Sequence, residues 1–432
     1  MVTHMSKWKN VFGEQDKTGS FDSLNPRCTI SSDGSLIDVS PNFVAVNWLT
    51  SGGGAVGIFE TTKFQRVKGD FPLIRGHTAI VTDIKFSPFN SGLLATSSDD
   101  GTVKLWSIPE GGLTEDIREE TQKFTGHSKK AGLINFNPTV REVVATAGND
   151  NDIFVWDITN AGDIFKIKTD DQAYNIEWNS NGSLLGAMHK DKKLRVYDVR
   201  ASQQASLTTD GHNTAKIQRM GFADGTYLFS TGFNAGGFRE IKLYDTRNFE
   251  KPIQSNKIDT LQGMLNNYYD EDTGMVYVYG KGESVVTFVE IKEGSIKTGG
   301  NYSGGDQAVG MSFFPKRTMD YNQSELARSA KLTKDSVVYV SFKYPRRNVG
   351  FVEEFYPDCV SGEPSTTLEE WKNGAANAPL RKKITEIENK FKTEPIVFEK
   401  KVVEEKKSLT LDAALLENEE LKKKVALLEK EI

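Results

Sequence analysis

Cysteine is scarce in this sequence. Its 432 residues hold two, Cys28 and Cys359, too few for the disulfide scaffold of a secreted domain, so a reducing compartment is expected. No run of 18 or more apolar residues occurs, so no membrane-spanning helix is predicted. The opening MVTHMSKWKN has no apolar centre of the signal-peptide kind, and Met5 is read as an alternative first residue. Histidine is also sparse, at five residues, and no Cys/His group stands at zinc-ligand spacing. No Gly-x-Ser-x-Gly elbow marks a nucleophilic serine. The glycines of SGGG at 51–54 are not followed by the Gly-Lys-Ser/Thr of a phosphate loop, so they read as a turn. Positive charge is in deficit: 54 Lys and Arg against 59 Asp and Glu, a formal net charge of -5. That argues against nucleic-acid binding driven by bulk charge. These absences predict a cytoplasmic protein that is not an enzyme and carries no cofactor or metal.

What the sequence does have is a repeat. Gly-His pairs stand at 76–77, 126–127 and 211–212. Strand-like runs close on Trp106, Trp156, Tyr197 and Tyr244, at successive spacings of 50, 41 and 47 residues. This is the period of a four-stranded propeller blade, and the Gly-His and Trp-Asp ends are the signature of a WD repeat. In SSDDGTVKLW the Asp-Gly turn can reverse the chain tightly. Asp100, Asp150 and Asp191 each precede the closing aromatic by six residues. In WD repeats such an Asp bonds to the His of the Gly-His pair, which is linked through a Ser or Thr to the Trp. The complete sets here are His77, Asp100, Trp106 and His127, Asp150, Trp156. They read as structural networks rather than as metal ligands or general bases, because the partners recur together.

Counting blades near 28–60, 75–107, 126–158, 168–199, 211–246, 259–291 and 305–345 gives an all-β, seven-bladed propeller over residues 1–345. SKWKNVFG at 6–13 is expected to supply a strand that pairs with 305–345 and closes the ring, removing an open edge. Residues 346–377 read as an extension anchored by Phe351, Phe355, Tyr356 and Trp371. Residues 378–407 read as a charged linker, and 408–432 as a coiled-coil helix.

Several non-repeat segments carry a family resemblance: SKWKNVFG (6–13), SGGGAVGIF (51–59), IPEGGL (108–113), YVYGKGES (277–284), FFPKR (313–317), YPRRNVGFVEEFYPD (344–358) and TLEEW (367–371). In this order they resemble the coronins, WD-repeat proteins that bind actin filaments. TGFNAGGFREIKLYD departs from the family pattern of a Ser-rich loop and a closing Trp. The resemblance implies filament binding and regulation of actin dynamics at the cell cortex. It also implies contacts with the branched-filament nucleating complex and with cofilin, and leaves peripheral membrane contact open. A basic surface suits an acidic filament, and the candidates are Lys7, Lys9, Arg27, Lys63, Arg66 and Lys68; Lys190, Lys192, Lys193, Arg346 and Arg347 are further basic positions. The alternative is a WD-repeat scaffold for non-actin complexes, since a propeller alone does not choose its partner.

The C-terminal ENEELKKKVALLEKEI is of another kind. With Leu411 as a, the heptad places Ala414, Leu421 and Leu428 at d and Asn418, Val425 and Ile432 at a. A helix this short is marginal alone, so the pattern predicts a homo-oligomer. Asn418 points to a dimer. Lys424 to Glu429 resembles the coronin trimerisation motif, with Lys424 for the usual Arg, and a tetramer stays open. Filament bundling by the oligomer is the expected outcome.

Overall fold

The first innermost strand, Ile37–Val39, begins a ring of seven sheets in the computed structural model of the chain, antiparallel but for the short Gln65–Arg66, which joins the seventh in parallel. The structure describes residues 5–27, 34–348, 350–388 and 398. The coiled-coil residues Leu411 to Ile432 lie outside the described residues. The innermost strands are Ile37–Val39, Val81–Phe86, Ala131–Phe136, Ala173–Trp178, Arg219–Ala223, Leu265–Asp270 and Gly310–Phe313. Blades are numbered one to seven in that order; the upper face is where the innermost strands begin. Along these strands apolar residues such as Ile84, Ile134 and Ile176 are buried between neighbouring sheets, as strand alternation requires when both faces of a blade are covered.

Repeat and sheet are offset by one strand. The sequence window 75–107 gives most of Leu73–His77 to blade one and Val81–Phe86, Leu93–Ser98 and Thr102–Ser107 to blade two. Each repeat therefore laces two neighbouring sheets together. Blade six departs most from the sequence windows: its four strands run from Leu265 to Ala308, ending in the long Ser295–Ala308.

The seventh sheet takes its fourth strand from the other end of the chain. Phe12–Asp22 runs antiparallel to Ser336–Lys343, with Phe12 opposite Lys343 and Asp22 opposite Ser336. The strand starts later than SKWKNVFG suggests. Residues before Phe12 form turns instead, because Trp8 leaves the surface: it is 1% exposed, its indole N–H donates to the Thr273 carbonyl at 3.0 Å, and Tyr344 and Phe355 pack on its ring.

Side chains join every blade junction around the central channel. Asp38 accepts from Phe86 N–H (2.8 Å), Asp83 from Ile134 N–H (2.9 Å), and Asn175 from Met220 N–H (2.8 Å). Asn135 donates to the Ile176 carbonyl (3.2 Å), Arg219 to Asn266 (3.1 Å), and Tyr279 to the Met311 carbonyl (2.6 Å). Ser312 closes the circle on Asp38 at 2.8 Å. Innermost strands have no further strand to pair with, so the five bonds that reach a backbone N–H or carbonyl satisfy groups that would otherwise be bare.

The extension crosses the lower face. Tyr356 donates to the Glu325 carbonyl of blade seven (2.8 Å), and the backbone N–H groups of Ser365 and Thr366 reach the Thr139 carbonyl of blade three. A five-residue helix, Leu368–Lys372, is capped by a Thr367–Glu370 capping box. It delivers Trp371, fully buried, whose indole donates to the Gly182 carbonyl at 2.8 Å beside Trp178 and Phe165. Phe351, in contrast, is 42% exposed and only flanks Tyr321 and Tyr356. The chain then returns: Arg381–Lys382 pairs with Cys359–Val360, and Ile384 is buried. By charge pattern alone these residues read as part of the 378–407 linker, and the structure differs. They dock because Arg381 meets Glu271 at 2.5 Å and Asp272 at 2.6 Å.

Candidate partner-binding faces

The conspicuous histidines are occupied inside the blades. His77 Nδ1 is 3.0 Å from Asp100 and its Nε2 2.7 Å from the Thr96 hydroxyl, which accepts from Trp106 Nε1 at 2.8 Å. Blade three repeats this with His127, Asp150, Thr146 and Trp156 at 3.0, 2.9 and 2.8 Å. A Cβ added at Gly76 would stand 2.5 Å from the Trp106 ring, and one at Gly126 2.7 Å from that of Trp156, which is why glycine precedes each His. Burial acts to raise the Asp150 carboxyl. The His127 hydrogen bond and charge, with Ser128 and Asp152 N–H, outweigh it and hold the group at about 2; Asp100 is lowered in the same way.

The hydroxyl has a positional signal in the sequence: Thr96 and Thr146 each stand four residues before the Asp and ten before the Trp. Asp191, at the same offset from Tyr197, instead accepts from Arg195 (2.6 Å), while His189 reaches the Asp171 carbonyl and the Tyr197 hydroxyl. In blade five His212 pairs with Glu240 at 2.8 Å and Ser230 at 2.9 Å; that acid comes from the third strand, not the turn.

The central channel holds a second charge group, with Lys85 and Glu177 partly buried in its wall. Lys85 Nζ lies 3.7 Å from Asp38, and Glu177 accepts from Asn135 at 2.9 Å. Burial lifts the Glu177 carboxyl to about 7, against the opposing charge of Lys85 and the Asn135 bond. Among the described residues no group of three or more His, Cys, Asp or Glu is placed to hold a metal ion. No described helix is long and apolar enough to cross a membrane.

The six basic candidates fall on two faces, because Phe12–Asp22 carries the chain from lower to upper side. Lys7 and Lys9 precede it, with the Lys7 ammonium 4.2 Å from the Trp8 ring. Lys63 is also on the lower side, paired with Glu60 at 2.7 Å. Arg27, Arg66 and Lys68 lie on the upper side of blades one, two and seven. Arg27 donates to the Val81 carbonyl at 2.9 Å; burial lowers its pKa against the charge of Asp99. Arg66 donates to Ser23 Oγ at 2.9 Å. Leu49 and Ile80, 52% and 40% exposed, are the apolar neighbours of this group.

Comparison with known proteins accounts for the same segments. Residues 1–66 match a family model described as a domain of unknown function (DUF1899), residues 71–107 a WD domain, G-beta repeat, and residues 337–379 a type of WD40 repeat. Coronin-A of Dictyostelium discoideum is 35% identical, with 98% of this chain and 97% of that protein covered. The chain belongs to the coronin family. The coronin-like protein crn1 of Schizosaccharomyces pombe is 31% identical over 87% of this chain, which spans 63% of that protein's length. The crystal structure of the WD40 domain from Toxoplasma gondii coronin superposes with a TM-score of 0.84 at 28% identity, covering 88% of this chain and 99% of that one. A chain of the mitotic checkpoint complex, at 12% identity and a TM-score of 0.57 over 76% of this chain and 94% of that one, shares the fold alone. In this coronin the match at 1–66 contains Phe12–Asp22 and the match at 337–379 all but the first residue of Ser336–Lys343, the two strands that pair to shut the ring.

Proposed function

We propose that this coronin binds actin filaments through the upper face of its propeller, around Arg27, Arg66 and Lys68, and that Leu411 to Ile432 joins copies so that one assembly crosslinks filaments. The observation that carries the reading is the 35% identity to Coronin-A over 98% of the chain. The upper-face cations suit an acidic filament, with apolar Leu49 and Ile80 beside them. Lys7, Lys9 and Lys63, on the opposite face, belong to a separate contact or to the solvated surface. Work at the cell cortex with the branched-filament nucleating complex and cofilin rests on the family resemblance.

Linked weak contacts gain avidity without any new interface. Co-sedimentation with actin filaments, compared between the full chain and one ending before Ser408, tests both halves. The full chain should pellet at low salt and bundle filaments at low-speed centrifugation; the truncated chain should pellet more weakly and lose bundling. A full chain that stays in the supernatant ends the filament reading, and bundling that survives truncation ends the role of the tail.

A further inference from the structure

The upper side of blades four and five carries a basic surface not used above. The Lys190–Lys193 hairpin turn, the loop holding Lys216 and the outer strand holding Lys257 converge there. Lys192 Nζ donates to Asn213 at 2.9 Å and Lys216 Nζ to Gln262 at 2.9 Å. Gln262 in turn donates to the Gly237 carbonyl at 3.3 Å, which ties two loops into one surface. Lys216 stands 3.8 Å from the Phe233 ring and Lys257 3.8 Å from the Phe238 ring. Phe238 is 39% exposed at the end of the Asn234–Gly237 turn, where Gly237 has φ of 79°.

The neighbouring cations are neutralised. Lys193 pairs with Asp210, Arg195 with Asp170 and Asp191, and Arg239 with Asp259 and Glu283. Lys190, Lys192, Lys216 and Lys257 make no ion pair among the described residues, although other lysines on the ring do. Lys257 over the exposed Phe238 ring, Lys216 over Phe233, and Lys190 and Lys192 on the hairpin turn leave this surface positively charged, and an acidic partner with an apolar side chain complements it. Two of the ammonium groups are already steadied over aromatic rings, so less side-chain freedom is lost when they pair.

The position of this surface selects the partner. It opens on the same face as Arg27, Arg66 and Lys68, but across the central channel from them, since blades four and five stand opposite blades one and seven. A small ligand would meet one cluster; a broad acidic surface lying over the face meets both. We infer that the Phe238 hairpin with Lys190, Lys192, Lys216 and Lys257 is a second contact with the acidic filament, which rests on the function proposed above.

The test is co-sedimentation of the full chain with actin filaments across a salt series, for the unaltered protein, the triple variant Lys192→Glu, Lys216→Glu, Lys257→Glu, and Phe238→Ala. The triple variant should bind about tenfold more weakly and with a shallower salt dependence, and Phe238→Ala should weaken binding at every salt concentration. Thermal unfolding of each variant confirms an intact ring. If the unaltered protein pellets and a folded triple variant pellets equally well with the same salt slope, this second contact is refuted while the filament reading stands. If the unaltered protein does not pellet, the filament reading itself fails, and this inference with it.

Discussion

Thr146 shows how one hydroxyl holds a blade. It accepts from Trp156 and faces His127, all three buried. Thr146→Val keeps the shape but orphans a buried indole N–H and an imidazole nitrogen. Each orphan costs on the order of 1–3 kcal/mol, so a loss of about 2–6 kcal/mol is expected in urea denaturation. Thr146→Ser, which keeps the hydroxyl, should lose about 1 kcal/mol, the value of one buried methyl group. Glu177 acts in the opposite sense. Its folded pKa of about 7 lies above the ordinary 4.5, so its contribution to stability is complete below pH 4.5 and is lost as pH rises through 7. Glu177→Gln should therefore flatten the change of the urea midpoint between pH 5 and 8 and raise the midpoint at pH 8; an unchanged slope would show that the carboxyl ionises freely. The sequence could mark the repeat through Gly-His and Trp-Asp, because those residues recur at a fixed period. It could not mark Glu177 or Lys85, which matter only because the ring turns them into one narrow channel. It did separate Asp150 from Asp191, since a Gly-His pair precedes only Asp150 at the repeat spacing; Arg195, four residues on, occupies Asp191 instead.

At the scale of elements, alternation and turn residues made strands and their approximate number legible, and the all-β class followed. The grouping of strands was less so. A repeat is cut at its most recognisable residues, whereas a sheet is cut where the chain crosses to the next blade, and these differ by one strand. Return segments such as Arg381–Lys382 have no apolar alternation and are held by ion pairs to Glu271 and Asp272, so charge alone resembles a linker. Trp371 is the element-scale anchor of the extension, wedged against Trp178 and Phe165, with the Arg200 guanidinium 5.6 Å from its ring. Trp371→Ala removes a buried aromatic worth about 3–5 kcal/mol, enough to raise local opening about a hundredfold or more. Hydrogen exchange should therefore quicken by that factor at residues 365–375 while amides of blades one and two keep their protection. Equal acceleration in those blades would mean that the extension and the ring open together.

For the whole molecule, the closed circle of junction bonds makes the two faces a fixed frame, and charge is divided between them. Phe12–Asp22 is what separates Lys7 and Lys9 from Arg27 and Arg66, close in sequence yet on opposite faces. Sequence proximity suggested one basic patch; a strand spanning the full height of a blade makes two.

The seam between Phe12–Asp22 and Ser336–Lys343 also sets a clock on synthesis. The first of these strands leaves the ribosome more than 300 residues before its partner. At about 5–20 residues per second, it waits roughly 15–60 s with the edge that Ser336–Lys343 will cover left bare. Six blades can form in order during that interval, but the seventh cannot, and the nascent ring stays open on one side. Chaperone capture of ribosome-bound chains should therefore persist until residues near 343 emerge, and then fall in a single step.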